Sequence, residues 1–208
     1  MKVGLIDYGR GNLHSVTKAL ARVGCQVSRV SRSDEFSTCE GLVLPGVGAF
    51  GDAMNALDRQ DLRAPIVDWL ASGKPFLGIC LGYQLMFAEG EESPGVRGLG
   101  WLPGQVVLFP PSVGKIPHMG WNRVTFREAS GLAPAGGSDY FYHVHSFYPD
   151  AVADGDTACT TTYGGVTFAS GIRRGAVAGF QFHPEKSQAA GLALLNAYFE
   201  SVGAGVPA

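Results

Sequence analysis

The sequence predicts one α/β domain over residues 1–208, with a central, mostly parallel sheet, helices on both faces and antiparallel additions in its second half. Three observations carry that expectation. Short apolar segments alternate with helical stretches through the first half, an order that lays strands side by side in parallel. Runs such as Leu42-Val43-Leu44 are apolar without a break, as strands covered on both faces are. Beyond Gln105 the texture changes to short alternating segments, which read as antiparallel strands.

Taken in order, Val3 to Asp7 reads as the first strand and Leu13 to Val23 as the first helix. Strands follow at Gln26 to Val30 and Gly41 to Leu44, then a helix at Asp61 to Ser72 and a strand at Pro75 to Ile79, with Gly or Pro bounding the strands. Gln105 to Phe109, Trp121 to Phe126, Tyr140 to His143 and Val166 to Ile172 are expected to extend the same sheet. Apolar and polar residues alternate up to Phe182, which suggests a strand running to a sheet edge and stopped by Pro184. Gln188 to Ser201 is amphipathic and should pack back onto the sheet. Gly-rich Pro94 to Gly100 and Pro134 to Gly137 read as loops.

Composition bounds the function. With 46% hydrophobic residues in 208 the chain can bury one sizeable core. A net charge of −2 and no run of Lys or Arg leave no electrostatic footprint for nucleic acid or an anionic membrane. No signal-peptide pattern and no apolar stretch of bilayer length is seen, so a cytoplasmic protein is expected. Cys25, Cys39, Cys80 and Cys159 are scattered without a Cys-x-x-Cys pair, which argues against a zinc site or a disulfide framework.

The most telling segment is Gly78-Ile79-Cys80-Leu81-Gly82, set between the apolar Pro75-Phe76-Leu77 and the helix-like Tyr83 to Phe87. Glycines two before and two after a cysteine leave room for a strained strand-to-helix turn, the Cys version of a nucleophile elbow. The N–H of Leu81, the residue after the nucleophile, is then a candidate oxyanion donor. A nucleophilic thiol needs a base and the base needs an orienting group. His183 and Glu185, two apart at the end of a strand, point the same way on an extended backbone and supply both.

Gly-x-Cys-x-Gly followed by Tyr83-Gln84, together with the late His183-Pro184-Glu185, resembles the class I (triad) glutamine amidotransferases. Asp7-Tyr8-Gly9-Arg10-Gly11-Asn12, Leu44 to Phe50, Pro117-His118-Met119-Gly120-Trp121-Asn122 and His183 to Ser187 narrow the resemblance to the glutaminase subunits of imidazole glycerol phosphate synthases. It runs from Lys2 to about Phe199. It implies a flavodoxin-like amidotransferase fold, no cofactor, glutamine as substrate, and a separate (β/α)8 cyclase subunit that receives the ammonia in histidine biosynthesis. It implies that Val47 or Gly48 supplies the second oxyanion N–H and that the Gly46 to Gly48 segment is held unproductive until the partner binds its own substrate. Gln84, Glu92 and the backbone of Ser146 and Phe147 would hold the substrate, with Glu91 as an alternative to Glu92. Asn12, Met119, Trp121, Tyr142 and Lys186 are the candidate interface residues.

Other readings of the same residues are weaker. His143 and His145 have the spacing of a metal pair, but the sequence places no third ligand, so they read as strand and loop histidines. Gly9-Arg10-Gly11-Asn12 lacks the spacing and the Lys-Ser/Thr of a phosphate loop. The chain could instead feed another synthase, act as a catalytically silent interaction subunit on the same fold, or be a cysteine hydrolase. The complete Cys80, His183 and Glu185 set speaks against a silent subunit, and the Pro117 to Asn122 segment favours the imidazole glycerol phosphate synthase resemblance over another synthase.

Overall fold

The computed structural model describes residues 1–132 and 137–203. The first half lays down β1 (Lys2–Ile6), α1 (Leu13–Arg22), β2 (Gln26–Val30), β3 (Gly41–Leu44), α2 (Phe50–Arg59), α3 (Arg63–Ala71) and β4 (Phe76–Ile79). A single helical turn, α4 (Leu81–Gln84), leads to β5 (Phe87–Gly90), β6 (Leu102–Leu108), β7 (His118–Phe126), β8 (Ser138–His145) and β9 (Phe147–Pro149). The chain closes with β10 (Thr157–Tyr163), β11 (Val166–Arg174), β12 (Val177–Phe180) and α5 (Gln188–Gly203).

Nine strands form the main sheet in the order β2-β1-β3-β4-β12-β11-β10-β7-β8. The first five are parallel, and from β11 to β8 each neighbour is antiparallel. Alternate strand residues feed two cores, as a period of two requires. Leu5, Val43, Leu77 and Ile79 pack with Val16 and Leu20 of α1 and Leu194, Leu195 and Phe199 of α5. Ile6, Leu42, Leu44 and Phe76 pack with Met54 and Leu57 of α2 and Ile66 and Leu70 of α3. Each such side chain, fully buried, contributes about 1.5–3 kcal/mol of transfer free energy. Tyr198 pins α5 to the sheet by donating its hydroxyl to Phe76 O at 2.9 Å and Ala176 O at 2.8 Å.

Four expectations need correction. The segment around Gln105 to Phe109 does not extend the main sheet; as β6 it joins β5 and β9 in a separate three-stranded sheet. The strand before His183 is central: β12 lies between β4 and β11, because Val177 to Phe180 is buried throughout and needs cover on both sides. The helix after Cys80 is one turn long, since Phe87 already begins β5. The α2 helix, directly after the Pro45 to Ala49 segment, was not anticipated. The loop expected over Pro134 to Gly137 lies, up to Gly136, outside the described residues.

Candidate active site

The elbow is present as a strained residue. Cys80 has φ 54° and ψ −110°, a conformation that costs on the order of 1–3 kcal/mol for a side chain with a Cβ. Its backbone is fixed on both sides. The Cys80 N–H donates to Phe180 O at 2.8 Å, and the Cys80 carbonyl accepts from Tyr83 at 3.0 Å and Gln84 at 3.1 Å. The flanking glycines are there for space: a Cβ on Gly82 would lie 1.8 Å from Leu44 O, and one on Gly78 would lie 2.8 Å from Gly82 O.

The parallel register β4 to β12 sets Phe180 opposite Ile79, so the residues just beyond both strands emerge at one rim. His183 and Glu185 follow β12 there. His183 Nδ1 lies 2.8 Å from Glu185 Oε1, with both side chains buried, at 3% and 2% exposure. A carboxylate only accepts, so Nδ1 carries the proton and Nε2 is left for the sulfur. Nε2 is buried and faces the Cys80 sulfur, which is near enough to favour a proton on it. Burial opposes charge on His183, but attraction and hydrogen bonding from the Cys80 sulfur, and then from Glu185, outweigh it. The imidazole is pushed up to about 10 and carries its proton at neutral pH.

A cavity of about 370 Å³ opens on the sulfur, a size suited to a small metabolite. Val47, Gly48, Leu81, Gln84, Glu92, Ser146 and Phe147 line it together with Cys80 and His183, and Glu185 stands behind His183. Val47 and Gly48 are exposed, and Gly48 has φ +99°, which a side chain rarely adopts. Leu81 begins α4, so its N–H has no intrahelical acceptor. Of the two adjacent glutamates, Glu92 is the one at this cavity, where its Oε2 also accepts the Phe50 N–H at the start of α2, at 2.7 Å. Glu91 instead takes the Leu108 N–H. Gln84 is buried, and its Nε2 donates to Phe147 O and to Gln181 Oε1, both at 3.0 Å. Gln181 is the residue that sequence reasoning missed. Fully buried, it donates from Nε2 toward Cys80 Sγ at 4.0 Å. The available signal was an amide set between Phe180 and Phe182 in a strand with no exposed face.

The candidate interface residues separate into two groups. Met119 and Trp121 on β7 are 57% and 48% exposed, Trp121 meets Tyr142 edge-on at 6.3 Å, and Lys186 Nζ sits 5.9 Å over the Tyr142 ring. These four make one patch, and Tyr142 O accepts the His183 N–H at 2.9 Å, which ties it to the base. Asn12 is exposed and caps α1, its Oδ1 accepting from Ser15 N at 3.3 Å.

His143 and His145 gain a third imidazole, because the β7–β8 register sets His118 opposite His145. The three offer ring nitrogens that all lie within 4.8 Å of one another. Burial, then the neighbouring imidazoles, pushes His145 down to about 3 and His143 well below the usual range. Burial pushes His118 down to about 4, so all three are neutral at pH 7.

Residues 4–200 match the family model described as glutamine amidotransferase class-I. A protein of Rhodopirellula baltica named imidazole glycerol phosphate synthase subunit HisH is 45% identical over 94% of this chain and 96% of its own. One of the same name from Halalkalibacterium halodurans is 44% identical over 99% of both. A solved structure titled as a glutamine amidotransferase superposes with a TM-score of 0.77 at 19% identity, covering 97% of this chain and 98% of that one, which speaks to the fold alone. With a family match along almost its whole length and a fold to suit, the chain belongs to the class-I glutamine amidotransferases.

Proposed function

We propose that this chain is the glutaminase subunit of an imidazole glycerol phosphate synthase and passes ammonia to a separate (β/α)8 cyclase subunit in histidine biosynthesis. The observation that carries this reading is the β4–β12 pairing, which brings a strained cysteine and a His–Glu pair to one small cavity. The near full-length relatives named as subunits of that synthase support a partner subunit, and the (β/α)8 cyclase is what the family resemblance implies for it. Among the described residues no helix is long and apolar enough to cross a membrane.

In the first step the Cys80 sulfur attacks the side-chain amide carbon of glutamine. Charge builds on the amide oxygen, toward which the Leu81 N–H and the Val47 or Gly48 N–H are the donors. The tetrahedral adduct collapses as the C–N bond breaks, and the proton held on His183 goes to the departing nitrogen, which leaves as ammonia. In the second step His183, now neutral, takes a proton from water as its oxygen attacks the thioester. The C–S bond breaks and glutamate is released. Glu185 keeps the His183 proton on Nδ1 throughout, so the catalytic nitrogen is always Nε2.

Cys80→Ala in the complex with the cyclase is expected to abolish glutamine-dependent synthesis and to leave ammonia-dependent synthesis intact. Loss of both would show that Cys80 matters to folding or assembly instead. Failure to co-purify with the cyclase would overturn the choice of partner while leaving the glutaminase reading standing.

A further inference from the structure

We propose that the amides and imidazoles beside the elbow form one hydrogen-bond network of two runs that meet at Phe147 O, one from Asn122 through His118 and His145 and the other from Gln84, whose second hydrogen turns Gln181 toward Cys80, and that His145 and Gln181 act as positioning residues for glutamine hydrolysis. The proposal rests on the function given above.

The network can be read from its outer end. Asn122 Oδ1 accepts the Arg123 N–H at 2.8 Å, and its Nδ2 donates to Thr162 O at 3.0 Å. Those two bonds fix the amide, so the remaining hydrogen on Nδ2 goes to His118 Nε2 at 3.2 Å. His118 is a neutral imidazole with one proton, which must then lie on Nδ1. It points at His145 Nε2, 3.3 Å away. The same assignment follows from the other side. Phe147 O can only accept, so His145 Nδ1, 2.7 Å from it, carries the proton and leaves Nε2 as an acceptor. Phe147 O takes a second hydrogen from Gln84, whose other hydrogen goes to Gln181 Oε1, and this turns Gln181 Nε2 toward the sulfur. Each donor along the path meets an acceptor, and no link admits the opposite sense.

That polarity has consequences for the cavity. Both hydrogens of the Gln84 amide are engaged, so the group it can present to a ligand is Oε1, an acceptor suited to an ammonium or amide N–H. Phe147 O is engaged twice, which holds the Ser146-Phe147 wall against the elbow. The three imidazoles do not converge as a metal cradle, because the His118 proton occupies the line between His118 and His145. His143 stands outside the network: its Nδ1 is 3.3 Å from the same His145 Nε2, and its own Nε2 is buried without a partner.

The test has a spectroscopic arm and a kinetic arm. In a long-range 1H–15N spectrum of the histidine-labelled full chain at neutral pH, His118 and His145 are both expected as Nδ1–H tautomers; an Nε2–H tautomer at either one overturns the proposal. So does stoichiometric Zn²⁺ binding that is lost in His143→Phe. With saturating cyclase, Gln181→Met, which keeps length and removes donor and acceptor, is expected to raise the KM for glutamine and lower kcat, each on the order of tenfold. Gln181→Glu restores the acceptor for Gln84 and not the donor to sulfur, so it should recover KM and not kcat. His143→Phe should stay within about twofold of wild type. Kinetic constants for a folded Gln181→Met within twofold of wild type would sink the positioning role. A wild-type complex that does not hydrolyse glutamine would sink the assigned function instead, whatever the tautomers.

Discussion

Replacing Glu185 by Gln retains the shape behind the His183 imidazole and removes the charge. In the wild type His183 is held charged up to about 10, with burial opposed by the sulfur and by Glu185. A folded-state value raised from 6.5 means that this stabilisation is complete below about 6.5 and is lost as pH rises through about 10. Without the carboxylate the sulfur alone must offset burial, so the loss begins at lower pH. The Nδ1–H to Oε1 bond, 2.8 Å between groups at 3% and 2% exposure, is charge-assisted and worth about 1.5–3 kcal/mol. In the proposed mechanism that charge supports the proton given to the leaving nitrogen, so kcat should fall on the order of ten- to a hundredfold. The Gln can still accept from Nδ1, so the tautomer persists and activity is not abolished. The assay is glutamate production by the complex across neutral to strongly alkaline pH. A kcat within twofold of wild type, with an unmoved alkaline limb, would refute the reasoning. Thermal unfolding should be measured alongside, since Glu185 Oε2 has no partner and the new NH2 would be left there unsatisfied, at about 1–3 kcal/mol.

Two further outcomes follow from geometry. Gly82→Ala drives a Cβ to 1.8 Å from Leu44 O, a backbone atom of a central strand, and should cost about 3 kcal/mol or more in denaturant unfolding; a wild-type midpoint would show that the elbow has room to spare. Trp121→Ala removes an exposed ring, so the isolated chain should keep its stability to within about 0.5 kcal/mol. Its affinity for the cyclase should fall at least on the order of tenfold by calorimetric titration, and unchanged affinity would remove Trp121 from the interface.

The sequence was most legible where local chemistry is strict. Only a position hemmed in by backbone demands glycine as Gly78 and Gly82 do, and a His two residues before a Glu at a strand end needs no long-range information to be noticed. Strands β3 and β4 were legible because every residue in them is buried and apolar or glycine, whereas edge strand β2 was marked by its bounding residues instead. What escaped depends on register and on partners distant in the chain. His118 meets His145 only through the β7–β8 pairing, Gln181 meets Gln84 and Cys80 only through the β4–β12 pairing, and neither registers in a linear pattern. β10, a Thr-rich segment containing Thr160-Thr161-Thr162, carries too little apolar contrast to reveal that it sits inside the sheet. The second sheet escaped because β5 follows the elbow so soon that its residues read as more helix.

The central place of β4 and β12 sets a kinetic hierarchy within the site. The Cys80 amide is bonded to Phe180 O where two central strands of nine end, so its hydrogen is expected to exchange with solvent slowly. Val47 and Gly48, on the exposed lip of the same cavity, belong to the part of the molecule that can move without that cost. The proposed nucleophile is therefore a fixture of the fold, and any tempo imposed from outside has to be kept by the lip.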